Sequence, residues 1–404
     1  MLSLSINSTK INSSNIANAK NYQHNGNTNF CTNNLKCDKF EKNISNKNVS
    51  FTGYFPDECH STQIKQIVNL IKRNKNNKII LLAHKSPDGD AIGSMLALKR
   101  LIEKSTGNKN VNALTFNNLP HNLQFVDKNK EIRIITKDFK VPSANDKEFL
   151  SKLNEQYGEA PLLITTDVSC LNMIDTAFKS LIKTAKNVIK IDHHPEGENF
   201  GNINLVDEKK ESASQLVMQM VKPLGIKTKD IDSSISDPIA LGVLSDSGSF
   251  AFAKTHEIFT DTSKLSTTSS IGQITREMNK MTPQEFQTYN NLLNSVRFSP
   301  DGKIAYYFVD MAQNHYVTKE INRNVLTSIS NIDGVKYYFS ISGSSKKRTS
   351  TIMASIRSSS KEILNAIKSI GGNGHEYSCG LMKKNSTMYE IKDLILDKLE
   401  ALGD

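Results

Sequence analysis

One short loop concentrates side chains that can bind a metal. After an apolar run at residues 78–83, the chain reads His84-Lys-Ser-Pro-Asp88-Gly-Asp90, with one imidazole and two carboxylates within seven residues. Hard divalent cations prefer oxygen ligands, and an imidazole beside carboxylates favours manganese or a similar transition metal over calcium. The same letters also fit an ordinary turn in which Asp90 is a helix N-cap. This segment alone leaves both interpretations open.

Three later segments also end in titratable residues. Asp167 follows the apolar run at 162–166, Asp192-His193-His194 follows the run at 188–191, and Asp246 precedes a glycine turn. Adjacent histidines after an aspartate are uncommon, because burying them costs stability unless a metal or hydrogen bonds compensate. Each segment alone has an ordinary structural explanation as a cap or turn. Their recurrence on successive elements predicts a shared metal site.

The elements that must position these residues alternate between two types. Short apolar runs at 78–83, 111–116, 162–166 and 188–191 predict strands, and helix-compatible stretches at 91–104, 211–221 and 237–244 lie between or after them. This alternation predicts an α/β domain with a largely parallel sheet. The carboxyl ends of such strands meet at one edge, where ligands bind in open α/β sheets.

The pattern changes along the chain and predicts four segments. Residues 1–59 are rich in Asn, Ser and Lys and predict a disordered tail, and residues 60–260 form the first domain. A polar, helix-compatible stretch predicts a flexible linker at 261–300. Beyond it, strands near 303–310 and 335–342 with helices near 361–370 and 388–402 predict a second, smaller α/β domain at 301–404.

Composition constrains the class of protein and its partners. The net charge of +10 favours polyanions, although lysine and asparagine are used throughout, so solvated basic faces explain it equally well. The five cysteines are scattered without CxxC pairs, which fits free thiols in a reducing compartment. No apolar run approaches the ~20 residues that span a bilayer, and no DNA-binding motif is visible. We expect a cytoplasmic protein without membrane or duplex DNA partners.

The four polar segments resemble the motifs of the DHH phosphoesterase superfamily, over most of residues 78–252. The resemblance implies an N-terminal DHH domain with two divalent metal ions, manganese in this interpretation. One ion would be held by His84, Asp88 and Asp167, and the other by Asp90, His193 and Asp246, with Asp167 bridging. It further implies that His194 lies beside the substrate and that Asp192 fixes an imidazole, so both are candidate catalytic residues.

The C-terminal region resembles the DHH-associated domain of the same superfamily. Gly371-Gly372-Asn373-Gly374-His375 is similar to its GGGH signature, and Ser355-Ile356-Arg357-Ser358 is similar to its Arg-Ser strand. The resemblance implies substrate binding by Arg357, Gly371, Gly372, Gly374 and His375. Asn373 replaces a glycine and Cys379 replaces a small alanine of the family pattern. A glycine turn with a purely structural role is the alternative.

This two-domain arrangement looks most like the oligoribonuclease and pAp phosphatase group of the superfamily. That resemblance implies hydrolysis of short single-stranded RNAs, about two to five nucleotides long, to mononucleotides, and of pAp to AMP. Phosphodiesterases for cyclic-di-AMP or its linear product pApA share both domains and stay open as an alternative. A non-catalytic nucleotide- or RNA-binding protein would be expected to lack part of the metal set, which is complete here.

Overall fold

The computed structural model describes residues 61–136, 147–195, 197–311, 317–344 and 351–403. All of them belong to one contact unit, Gly53–Asp404. The predicted Asn-rich tail at 1–59 lies outside these ranges. Within them, every helix is too short or too polar to cross a bilayer. Cys170 and Cys379 form no disulfide, and the other three cysteines lie outside the described ranges.

The first half of the described chain builds a parallel sheet. Its strands are β1 (Ile79–Leu82), β2 (Val111–Thr115), β3 (Ile132–Ile134), β4 (Leu162–Thr166), β5 (Val188–Asp192) and β6 (Ile203–Val206). They lie in the order β3-β2-β1-β4-β5-β6, and every neighbouring pair is parallel. The strand order reverses between β1 and β4, which is the position where a crevice opens in such sheets.

Both faces of this sheet are buried, which explains why its strands read as continuous apolar runs. In β1, Ile79 and Leu81 pack into one hydrophobic cluster, whereas Ile80 and Leu82 pack into another. Successive side chains of a strand point to opposite faces, so the two clusters are the two covered faces of the sheet. The site-bearing loops therefore extend from a rigid, fully covered sheet.

Helices cover the sheets and connect them. They are α1 (Ser61–Arg73), α2 (Gly89–Thr106), α3 (Lys147–Tyr157), α4 (Lys179–Thr184), α5 (Ala213–Gln219), α6 (Ser233–Asp246), α7 (Glu257–Leu265), α8 (Ile271–Met278), α9 (Pro283–Asn294), α10 (Lys319–Ser330), α11 (Leu364–Lys368) and α12 (Met388–Glu400). Ile258 of α7 and Ile274 of α8 pack into the first core, whereas Leu292 of α9 packs against the second sheet.

The second sheet is mixed. Its strands are β7 (Arg297–Phe298), β8 (Ile304–Asp310), β9 (Tyr337–Gly343), β10 (Ile352–Ser358), β11 (Asn373–His375) and β12 (Ser378–Lys383). The order is β11-β12-β10-β9-β8-β7; β8 and β9 are parallel, and the other pairs are antiparallel. Alternate residues of β8 pack into two separate clusters, so this sheet is also covered on both faces.

The predicted fold class is confirmed: a largely parallel α/β sheet is followed by a second α/β part. The four predicted strands of the first sheet are present within a residue or two of their predicted ends, and β3 and β6 were not predicted. The predicted turn at Gly371–Gly374 extends into a short strand, β11. The domain boundaries at 60–260, 261–300 and 301–404 stay a prediction.

Glycines allow α2 and α6 to pack in direct backbone contact. A Cβ at Gly93 would lie 2.2 Å from the Pro238 carbonyl oxygen, which no real Cβ approaches. We expect Gly93→Ala to lower the free energy of unfolding by about 2 kcal/mol or more, because overpacking forces the two helices apart. Gly272→Ala in α8 is the matched control, since its Cβ would meet only Arg276 Nη1 at 3.7 Å.

Urea denaturation of both variants measures the difference. The control should be neutral or slightly stabilising, because alanine is the better helix former by about 1 kcal/mol. Equal stability of Gly93→Ala and wild type would show that the two helices are not in the close contact described.

Candidate metal centre

Six candidate ligands meet at the carboxyl edge of the parallel sheet, around the point where the strand order reverses. They come from the loop after β1 and the start of α2, from the ends of β4 and β5, and from the last residue of α6: His84, Asp88, Asp90, Asp167, His193 and Asp246. The structure therefore gathers all six residues that the sequence singled out. Their roles as ligands are a proposal.

The first group consists of His84, Asp88 and Asp167. His84 Nε2 lies 3.4 Å from Asp167 Oδ2 and 3.6 Å from Asp88 Oδ1. One ligand atom from each residue lies within 4.8 Å of the others. His84 is buried, whereas the side chain of Asp88 is 17% exposed, so solvent reaches the group at Asp88.

The second group consists of Asp90, Asp167, His193 and Asp246. His193 Nε2 lies 3.1 Å from Asp246 Oδ2, 3.6 Å from Asp167 Oδ1 and 4.0 Å from Asp90 Oδ2. Asp167 belongs to both groups. Its Oδ2 faces His84 of the first group, and its Oδ1 faces His193 of the second group. A single carboxylate in this position can bridge two cations.

Unpaired buried atoms show that the two groups fit divalent metal ions. Within the described residues, Asp167 Oδ1 and His193 Nε2 are buried without a hydrogen-bond partner. Such atoms cost stability unless something compensates, and a cation bound between them would do so. The donor set of carboxylate oxygens and imidazole nitrogens suits Mn²⁺ and similar ions.

The charges of the centre lead to the same conclusion. Burial, together with the charges of Asp246 and Asp167, raises the pKa of Asp90 well above its usual range. Although burial opposes it, contact with Asp167 and Asp88 raises the pKa of His84 to about 10. These raised pKa values favour the protonated forms of Asp90 and His84 when no metal is bound. Binding a metal ion would displace these protons, because a coordinating imidazole must be neutral.

Local sequence explains how Asp88 and Asp90 are oriented. Asp88 is the N-cap of α2 and accepts a hydrogen bond from the Ala91 N–H at 3.3 Å, so the N-cap alternative considered for Asp90 belongs to Asp88. Asp90 lies in the first turn, where its oxygens accept from the N–H groups of Ala213 and Ser214 at 2.6 and 2.9 Å. The N-terminus of α5 thus holds the Asp90 carboxylate in place.

Asp167 has an unusual backbone. Its φ of 57° lies in the left-handed region, which a non-glycine residue adopts at a cost. Its N–H donates to the carbonyl of Ile191 at 2.9 Å, which ties the end of β4 to β5. This backbone turn aims the carboxylate between the two groups.

The two candidate catalytic residues form a chain with a buried lysine. His194 Nδ1 lies 2.8 Å from Asp192 Oδ1, and Lys190 Nζ lies 3.2 Å from Asp192 Oδ2. Burial opposes ionisation of Asp192, but His194 and Lys190 outweigh it and lower its pKa. Lys190 also donates to the carbonyls of Ser169 and Glu198. The imidazole of His194, 26% exposed, is therefore held from its Nδ1 side.

The candidate substrate-binding residues lie on β10, on β11 and in the turn before β11, and β12 separates the two strands. Arg357 is on β10, and its Nη1 donates to the Cys379 carbonyl at 3.3 Å. Gly371 and Gly374 have φ of 85° and 149°, and a Cβ at Gly372 would lie 2.7 Å from the Gly380 carbonyl oxygen, so all three positions require glycine. The side chain of His375 lies outside the described part of the structure.

Two cationic residues near the centre were missed by the sequence analysis. Lys319 Nζ lies 2.8 Å from Asp88 Oδ2, and Arg323 Nη1 lies 3.4 Å from Ser245 Oγ. Both are on α10, and Lys319 is 231 residues from its partner. Nothing in the sequence distinguishes them among 51 lysines and arginines.

Comparisons with known proteins match most of the described chain. Residues 78–243 match the DHH family, N-terminal domain. The bifunctional oligoribonuclease and PAP phosphatase NrnA of Thermus thermophilus is 23% identical over 353 residues, covering 85% of this chain and 96% of that protein. The protein of the same name from Bacillus subtilis is 22% identical over 336 residues, covering 80% and 94%.

A solved structure shows the fold over most of the chain. The crystal structure of an exopolyphosphatase-related protein from Bacteroides fragilis superposes with a TM-score of 0.69 at 23% identity, covering 84% of this chain and 96% of that one. The chain therefore shares this fold, and its residues 78–243 match a DHH family domain. The family match and the named relatives together support a hydrolase of the phosphoesterase class.

Lys190 offers a test of the chain that holds His194. Its side chain and that of Asp192 are 2% and 0% exposed. We expect Lys190→Met to lower the free energy of unfolding by about 3 kcal/mol, because it leaves the buried Asp192 carboxylate with one partner fewer. Urea denaturation provides the measurement, with the exposed Lys186→Met as control. If Lys190→Met lowers the free energy of unfolding no more than Lys186→Met does, the pairing of Lys190 with Asp192 is contradicted.

Metal binding to the folded chain can be measured without any substrate. Adding Mn²⁺ at about 100 times its dissociation constant should stabilise the metal-free protein by about 2.7 kcal/mol for each independent site. Asp167→Asn should lose most of this gain, since Asp167 belongs to both groups. The exposed Asp230→Asn should retain it. Differential scanning calorimetry with and without Mn²⁺ would show this, and a gain that persists in Asp167→Asn would rule out the shared carboxylate.

Proposed function

We propose that this chain is a manganese-dependent two-metal phosphoesterase that hydrolyses short oligoribonucleotides, about two to five nucleotides long, to mononucleotides, and pAp to AMP. The observation that carries the proposal is the pair of ligand groups that share Asp167. Two-metal centres of this kind occur in phosphatases and nucleases. The names of the relatives support the substrate class.

The chain's own residues would divide the work in the reaction. When bound, the two metal ions would supply a hydroxide nucleophile and neutralise charge on the phosphoryl oxygens. His194 has its Nδ1 held by Asp192 at 2.8 Å, so its Nε2 would donate a proton to the leaving oxygen. No side chain of the protein is then needed as the nucleophile.

The second sheet would hold the remainder of the substrate. Arg357 can bind a phosphate through several N–H groups, and the glycines at 371, 372 and 374 leave backbone amides open to close approach by a ligand. His375 is proposed to add a further donor on the basis of the family resemblance. The proposed partners of the chain are single-stranded RNA and small nucleotides. Binding of these substrates requires neither a membrane nor duplex DNA.

Hydrolysis of a defined panel tests the proposal. The panel contains pAp, 5′-phosphorylated RNA dimers to pentamers, a longer single strand and cyclic-di-AMP, each with Mn²⁺ and after chelation. We expect mononucleotides from the short RNAs and phosphate from pAp only when metal is present. Asp167→Asn should reduce kcat/KM by more than the 10- to 100-fold typical of residues outside the metal ligands.

The controls separate this proposal from its alternatives. Asp230→Asn should hydrolyse the panel like wild type, since its carboxylate is exposed and belongs to none of the ligand groups. Preferred turnover of cyclic-di-AMP would assign the chain to the signalling phosphodiesterases instead. No turnover of any compound, with Mn²⁺ bound, would favour a non-catalytic nucleotide- or RNA-binding protein.

A further inference from the structure

Helix α10 directs two cations at the metal centre from the side of the second sheet. Lys319 Nζ lies 2.8 Å from Asp88 Oδ2, and Arg323 Nη1 reaches Ser245 Oγ, next to Asp246, at 3.4 Å. The two residues are four positions apart, so they share one face of the helix. From that face, Lys319 contacts the candidate ligand Asp88, and Arg323 contacts the residue before the candidate ligand Asp246.

Stability does not explain these contacts. The Lys319 side chain is 62% exposed, and exposed ion pairs contribute between about 0 and 1 kcal/mol. Within the described residues, the hydrogen bond of Arg323 to Ser245 is long and uses one of its five N–H donors. Both side chains can therefore exchange their present partners for a ligand at little cost.

A third cation extends the same surface. Burial lowers the pKa of Arg357, and the positive charge of Arg323 lowers this pKa further. Lys319 and Arg323 on α10 are therefore the two cations that reach the centre, and Arg357 on β10 lies within electrostatic range of Arg323.

We propose that Lys319 and Arg323 bind the phosphates of the substrate from the side opposite the metal ligands. Lys319 leaves Asp88 and contacts the phosphate under attack, while Arg323, together with Arg357, binds a second, terminal phosphate. This inference rests on the proposed function and refines it. It makes the enzyme selective for short substrates that carry a terminal phosphate, such as pAp and pApA, over ApA.

Binding and kinetics of matched variants test the inference. The variants are Lys319→Met and Arg323→Met, with Lys384→Met, an exposed lysine directly after β12, as control. Lys319→Arg and Arg323→Lys keep the charge. Isothermal titration measures pAp binding to the Mn²⁺-loaded protein, and steady-state kinetics compares pApA with ApA. Circular dichroism melting confirms that each variant is folded.

The two residues should give different results. Each Met variant should weaken pAp binding about tenfold, because it loses one charge-assisted hydrogen bond to a phosphate. Lys319→Met should lower kcat on both dinucleotides. Arg323→Met should raise KM for pApA about tenfold and leave ApA unchanged, and the charge-keeping variants should recover part of each loss.

The outcomes separate this inference from the proposed function. If wild type hydrolyses the dinucleotides but both Met variants bind pAp and turn over pApA like Lys384→Met, the inference is overturned and the proposed function stands. An equal increase in KM for pApA and ApA in Arg323→Met would overturn the assignment of Arg323 to the terminal phosphate. Wild type that neither binds pAp nor hydrolyses any compound would overturn both.

Discussion

The centre depends on one carboxylate, that of Asp167, which must serve two groups of ligands at once. Its oxygens face His84 on one side and His193 on the other, at 3.4 and 3.6 Å. The left-handed backbone at this residue and its hydrogen bond to Ile191 hold that orientation at the end of β4. Strain at a single non-glycine residue is tolerated because the covered parallel sheet around it fixes both neighbouring strands.

The second requirement is close packing between two helices that carry ligands at their ends. Asp90 lies in the first turn of α2 and Asp246 ends α6, so these carboxylates meet only if the helices almost touch. Glycines make this possible: a Cβ at Gly242 would lie 2.5 Å from Asp90 Oδ1, and one at Gly89 would lie 2.5 Å from the Cβ of Ser245. The close contact between α2 and α6 therefore determines the geometry of the second ligand group.

The sequence predicted the parts of the structure that depend on local patterns. The central strands were visible because burial on both faces demands continuous apolar runs, and the ligand candidates were visible because clustered Asp and His residues are costly without a purpose. The edge strands β3 and β6 were missed because they are short and partly exposed. Lys319 and Arg323 were missed because their partners lie far away in the chain, and only tertiary structure brings them together.

The order of the ligands along the chain has a consequence for biosynthesis. Every member of the group of His84, Asp88 and Asp167 is present once the residue after β4 has been added, whereas the other group is incomplete until Asp246, at the end of α6, has been added. A ribosome adds about 5 to 20 residues per second, so the 79 residues between Asp167 and Asp246 take several seconds. During synthesis the first ligand group is thus complete before the second one. The shared carboxylate of Asp167 is already present at that earlier stage.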